Sequence, residues 1–138
     1  MVIDADGFKT INDTFGHDAG DAVLKRLARE LQHSVRSDDI VCRMGGDEFL
    51  IICPNTPLEG TLLIAEQTRD NIARLRVPAG DGVWPGSISV GVAANDNDIN
   101  SIGSLLKAAD DAVYMAKNAG KNCVKTRQEK KTVKLPKL

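Results

Sequence analysis

The sequence predicts an α/β sandwich of the ferredoxin-like or palm type, a central sheet with antiparallel pairing flanked by helices. Three observations predict it. Strand-length apolar stretches and helix-period stretches follow one another in the order β-α-β-β-α-β-α-β. Two strand stretches are joined by Met44-Gly45-Gly46-Asp47, and paired glycines in so short a link mark a hairpin. The chain has 138 residues, which fits one domain with a real core.

Met1-Val2-Ile3-Asp4 is an apolar stub ending in an acid, the end of a shortened first strand. A helix-period stretch follows, with Leu24, Leu27, Ala28, Leu31 and Val35 spaced as one buried stripe. Residues 39–43 and 48–52 read as the hairpin strands. In the next helix Thr56 is placed to cap, Pro57 suits the first helical position, and Glu59 completes a capping box. Leu58, Leu62, Ala65, Ile72 and Leu75 supply its apolar face. Pro78 to Pro85 reads as a loop that Trp84 covers, and residues 87–92 alternate as a strand. Ser101 caps a third helix whose Ile102, Leu105, Leu106, Ala109, Val113 and Ala116 face inward, with Gly120 as its stop. A short strand, residues 122–126, closes the domain at residue 126. Residues 127–138 are read as a basic, disordered tail.

The chain is 42% hydrophobic and 27% charged with net charge −1, so it carries no general electrostatic footprint for nucleic acid or anionic lipid. A bound nucleotide must be held by a local site. No apolar run is long enough to span a bilayer and no signal segment opens the chain, which points to the cytoplasm. Cys42, Cys53 and Cys123 lie far apart without Cys-x-x-Cys spacing; Cys42 and Cys53 fall in strand-like stretches and are expected as buried thiols. His17 and His33 are too few for a zinc site.

Chemistry concentrates in two clusters. In Asp4-Ala5-Asp6-Gly7-Phe8-Lys9 an acid ends an apolar strand, a glycine permits close backbone approach, and Lys9 opens a helix whose amides favour an anion. In Gly45-Gly46-Asp47-Glu48-Phe49 two acids follow a glycine turn. A hairpin packed beside the first strand brings Asp47 and Glu48 towards Asp4, and three neighbouring carboxylates call for a divalent cation, Mg²⁺ or Mn²⁺. Acids at strand ends and after turns are also plain turn formers, so each cluster alone is a weak signal. Asp96-x-Asp98-x-Asn100 looks like the start of a calcium loop, but Ser101 and Lys107 stand where the turn glycine and the bidentate acid belong. It reads as a polar loop.

Asp4-x-Asp6-x-Phe8-Lys9-x-x-Asn12-Asp13-x-x-Gly16-His17-x-x-Gly20-Asp21 resembles the opening block of the GGDEF-domain family, the catalytic domain of diguanylate cyclases. Residues 45–49 spell its name-giving motif. Ser89-Val90-Gly91-Val92-Ala93 and Ala108-Ala109-Asp110-x-Ala112-x-Tyr114-x-Ala116-Lys117-x-x-Gly120-Lys121-Asn122 look like its later blocks. The resemblance implies a nucleotidyl-cyclase-like fold that condenses two GTP into cyclic di-GMP and pyrophosphate across a homodimer, with two metal ions per site. It implies Asp4, Asp47 and the Ala5 carbonyl as metal ligands with Glu48 nearby, and Asp47 as the acid assisting deprotonation of the ribose 3′-hydroxyl. Gly7, Phe8 and Lys9 would hold the β- and γ-phosphates, and Lys117 and Lys121 further phosphate oxygens. Asn12 and Asp21 would read guanine. Arg36-Ser37-Asp38-Asp39 matches the family's RxxD inhibitory site, where Arg36 and Asp39 would bind product. A binding module that holds GTP or cyclic di-GMP with little turnover is the rival reading.

Two departures from the family pattern stand out. The usual N-terminal helix, with Asp-x-Leu-Thr-x-Leu-x-Asn-Arg, does not precede Met1, so a trimmed piece with uncovered apolar surface and reduced stability is expected. Lys121 stands where the family usually has Arg, keeping charge but losing the bidentate fork.

Overall fold

The computed structural model describes residues 1–128. Its main sheet holds β1 (Val2–Ala5), β2 (Ile40–Gly45), β3 (Glu48–Ile52), β6 (Ile88–Val92) and β7 (Cys123–Thr126) in the order β2-β3-β1-β6-β7. The pairings are antiparallel except β6–β7, which is parallel. A separate hairpin, β4 (Arg76–Ala79) and β5 (Gly82–Pro85), forms a second small sheet. The helices are α1 (Phe8–Phe15), α2 (His17–Ser34), α3 (Leu58–Ala73) and α4 (Ile102–Asn118).

The short first strand is the middle of the sheet. Val2 and Ile3 are fully buried, and Ile3 pairs with Phe49 on one side and Val90 on the other. The Met1 amino group donates to the Ile51 carbonyl at 2.6 Å, and its burial pulls the ammonium below its ordinary pKa. The main core lies between the sheet and the stripe of α2 and α3, with Leu27, Leu31, Ile51, Ile72, Ile88 and Val90 at its centre. A smaller cluster on Val2, Ala109 and Val113 packs α4 against the sheet.

The structure departs from the sequence expectations at several points. The first helical stretch is two helices, because Gly16 at φ 91 breaks the ladder between Phe15 and His17. Val35 is only half-buried at the cap of α2. Residues 78–85 are not a loop: Gly80-Asp81 turns β4 into β5, with Val77, Ala79 and Trp84 facing in. Trp84 accordingly sits in the core at 1% exposure. The α3 cap is Pro57 rather than Thr56, whose hydroxyl instead donates to the Pro54 carbonyl. Thr61 and Thr68 join the buried face of α3, because their hydroxyls bond to carbonyls one turn back. Ser101 does cap α4 as expected, but Ile102 is 80% exposed. Ile102, Met1, Leu50, Leu105 and Leu106 line an open apolar cleft of about 570 Å³ beside the start of β1. Cys42 and Cys53 are half-buried rather than buried, since they lie on or next to the edge hairpin. Of the expected tail, Arg127 pairs with Asp111 and Gln128 bonds both backbone groups of Ala94; residues 129–138 lie outside the described residues. Asp96 forms a turn, its carboxylate accepting from the amides of Asp98 and Ile99. No helix among the described residues is long and apolar enough to cross a membrane.

Candidate active site

β1 delivers its acid to the sheet end where the β2–β3 hairpin turns. Asp4 stands opposite Glu48 in the β1–β3 register, and the Ala5 amide donates to the Asp47 carbonyl at 3.2 Å. Two positive-φ glycines, Gly45 and Gly46, and a register shift after Arg43 let the hairpin turn there. The Asp47 carboxyl is pushed up to about 6, first by burial and then by the neighbouring Asp4 carboxylate. Glu48 is also raised, by burial and then by Asp110 and Asp4.

From α4, Lys117 lays its ammonium on the Asp4 Oδ2, and that contact raises the Lys117 pKa. The hairpin thus brings Asp47 and Glu48 beside Asp4, whose charge helps raise both, while Lys117 offsets it and Asp110 adds to the charge around Glu48. Among the described residues no group of three or more His, Cys, Asp or Glu side chains is arranged to hold a metal ion.

The other side of the site is built on the exit from β1. Gly7, left-handed at φ 77, turns the strand directly into α1 without any side-chain cap. The first-turn amides of α1 thus have no intrahelical acceptor and point where an anion is favoured. Phe8 anchors this turn against the core, and Lys9 is exposed. Lys121 occupies the left-handed turn after α4, next to Asn122.

One turn further along α1, the buried side-chain carbonyl of Asn12 has no donor partner. It lies against Gly20 of α2, where an added Cβ would stand 1.8 Å from the Asn12 Oδ1. Asp21, the next residue, is exposed. An orphaned acceptor beside an exposed carboxylate is a pair suited to the N–H edge of a planar base.

The model of the diguanylate cyclase GGDEF domain family matches residues 1–123. This chain belongs to the GGDEF family. It is 44% identical over 126 residues to the response regulator PleD of Caulobacter vibrioides, a match spanning 90% of this chain and 28% of that protein. It is 44% identical over 124 residues to the diguanylate cyclase DgcM of Escherichia coli, across 90% of this chain and 29% of that protein. The chain thus spans less than a third of the curated relatives it matches. The GGDEF domain of YfiN (or TpbB) from Pseudomonas aeruginosa superposes with TM-score 0.82 at 32% identity, covering 93% of this chain and 81% of that one. That of DgcB from Caulobacter crescentus, solved in complex with cyclic di-GMP, gives TM-score 0.81 at 29% identity over 90% of this chain and 74% of that one.

The GGDEF motif here forms the hairpin end beside Asp4. The family implies use of a divalent metal, and the residues present fit one: Asp47 lies beside Asp4, and Asp4 already takes a cation, the Lys117 ammonium. The RxxD residues lie before the other end of β2, with Asp39 roughly 20 Å from Gly45 at about 3.4 Å per strand residue. There Asp39 accepts from the Arg36 backbone amide at 2.9 Å and from its guanidinium at 2.9 and 3.1 Å. The Asp39 side chain is fully buried under Arg36, whose hydrogen bonds hold its carboxyl below the usual range.

Sequence reasoning missed a separate role for Asp6, although it stands two residues after Asp4. Asp6 is 9% exposed, and its carboxylate accepts from the hydroxyls of Ser87 and Ser89 and from the Asn122 amide. A buried partner set spread over residues 87–122 leaves no local trace in a sequence.

Proposed function

We propose that this chain is a diguanylate cyclase module that joins two GTP into cyclic di-GMP and releases two pyrophosphates. One observation carries the reading: the β2–β3 hairpin sets Asp47 and Glu48 beside Asp4 at the sheet end where β1 leads into the open amides of α1. Asp4, Asp47 and the Ala5 carbonyl would hold the divalent metal, which stabilises charge developing on the phosphates and on the attacking oxygen. Asp47 would assist deprotonation of the ribose 3′-hydroxyl, which the same metal would make more acidic. The α1 amides and Lys9 would receive the β- and γ-phosphates, and Lys117 and Lys121 further phosphate oxygens. Asn12 and Asp21 select guanine, the first through its orphaned carbonyl.

Each domain holds one GTP, so two domains face each other and each 3′-hydroxyl attacks the α-phosphorus of the opposite nucleotide. Specific activity that rises with protein concentration tests this, and activity independent of dilution refutes it. Product inhibition is read at Arg36 and Asp39, where cyclic di-GMP would replace part of their mutual pairing with guanine contacts. Calorimetry with Arg36→Ala and Asp39→Ala should show weakened cyclic di-GMP binding, and unchanged affinity would remove that element.

A further inference from the structure

Asp6 ties together more elements than its place at the end of a strand requires; among the described residues its carboxylate bonds to none of Asp4, Asp47 and the α1 amides, although its charge acts on Lys117. Its two carboxylate oxygens accept from Ser87 Oγ at 2.6 Å, Ser89 Oγ at 2.7 Å and the Asn122 backbone amide at 3.1 Å. Its own amide donates to the Ser87 carbonyl at 2.9 Å, and its carbonyl accepts from the Trp84 indole at 2.8 Å. One residue thereby joins the end of β1, the edge of β6, the β4–β5 hairpin and the turn between α4 and β7.

The position of the tie matters more than its number of bonds. On the chain before Asp6 stand Asp4 and Ala5; after it stand Gly7, Phe8 and Lys9. The turn it grips carries Lys121 and Asn122, both left-handed at φ 65 and 46, a conformation that asparagine adopts readily and lysine seldom. The Asn122 side chain is also held from α3, by Arg69 at 3.2 Å. The bond from Asn122 to Asp6 links this turn directly to the strand exit that opens α1.

We propose that Asp6 is a positioning residue, a clasp that fixes Lys121 relative to the α1 amides so that both sides of the triphosphate cradle stand at a set separation. This rests on the proposed GTP reading. The clasp acts on phosphate binding and leaves guanine recognition by Asn12 and Asp21 alone. It also gives Ser87 and Ser89 a function: they satisfy a buried carboxylate that would otherwise be costly to keep beneath the site.

The test measures two things in Asp6→Ala, Asp6→Asn and Ser87→Ala. The first is hydrogen exchange of the Asn122 amide in the nucleotide-free protein. The second is the ratio of GTP to GMP affinity by calorimetry with Mg²⁺. In Asp6→Ala the Asn122 amide is expected to exchange at least about tenfold faster, and the GTP:GMP ratio to fall about tenfold, the effect of one lost charge-assisted bond. GMP affinity itself stays within about twofold of wild type, because base contacts are untouched. Asp6→Asn, whose amide oxygen can still accept from Asn122, recovers much of the ratio. An unchanged ratio, or GTP and GMP weakening in parallel as for general destabilisation, overturns the clasp. Should Asp6→Ala fail to fold, Ser87→Ala decides: a reduced ratio supports the clasp and an unchanged one overturns it. If the wild type binds no guanine nucleotide, the GTP reading fails and the inference with it. That outcome is distinct from a failed clasp, in which wild type binds GTP and Asn122 exchange ignores Asp6.

Discussion

Lys117, projecting from α4, places its ammonium on the Asp4 carboxylate, so the acid that should meet a metal is already paired with a cation. The contact explains how Asp4 and Asp47 stand close in one small site without driving the hairpin away. It also makes metal and lysine competitors in the nucleotide-free protein. Lys117→Met is expected to tighten Mn²⁺ binding in the absence of nucleotide by several-fold while weakening GTP binding about tenfold or more. Paramagnetic titration of Mn²⁺ reads the first effect. Unchanged Mn²⁺ affinity would show that the pair does not govern metal access.

The orphaned Asn12 carbonyl leads to an uncommon pairing of effects. Asn12→Ala should weaken GTP binding by about 1–3 kcal/mol, because a base contact is lost. Its melting temperature should hardly fall, because the substitution also removes an unsatisfied buried acceptor and favours the helix. A drop in stability matching the loss in affinity would contradict this account of the side chain.

Gly20 faces Asn12 closely enough that any Cβ there must displace it. Gly20→Ala is expected to cost about 1–3 kcal/mol of stability and to lose guanine selectivity, since Asn12 can no longer hold its place. Competition of GTP with ATP reads the selectivity. Retained discrimination would separate Asn12 from base reading.

The fold class, the hairpin beside β1 and the helix cap at Ser101 were legible because each is a local pattern: period, paired glycines, a serine with the right spacing. The division of α1 from α2 was hidden, because Gly16 followed by a histidine and an acid looks like a tolerated glycine within one helix. The β4–β5 hairpin was hidden for a related reason. Pro78, Gly80, Gly82 and Pro85 read as loop chemistry, yet the prolines sit on exposed positions of a two-stranded sheet where no ladder bond is lost. At the site, Asp4 and Asp47 stood out by following a strand and a glycine turn, and Asn12 and Asp21 through the family's opening block. Lys117 on Asp4 and Asn122 on Asp6 join residues more than a hundred positions apart, and only the folded chain brings them together.

The Arg36–Asp39 pair carries a pH signature. Asp39 is held below its ordinary pKa by Arg36, so its contribution to stability is complete above the unfolded value of about 4 and is lost as pH falls through the lower folded value. The stability gap between wild type and Asp39→Asn should be greatest at neutral pH and should close in acid below about pH 4. Denaturant melts across pH 2–7 check this, and a gap independent of pH would show that the pair's ionisation does not matter.

Everything proposed for the site depends on Asp4 and Asp47 forming a working GTP-condensing centre. Chromatography of the chain incubated with GTP and Mg²⁺ decides that, with Asp47→Ala in parallel and GTP binding of both measured by calorimetry. Cyclic di-GMP and pyrophosphate, two pyrophosphates for each dinucleotide, are expected from the wild type and no product from Asp47→Ala. GTP bound by the wild type with no dinucleotide formed, at concentrations where dimers are present, would contradict the condensing centre and leave a nucleotide-binding module in its place.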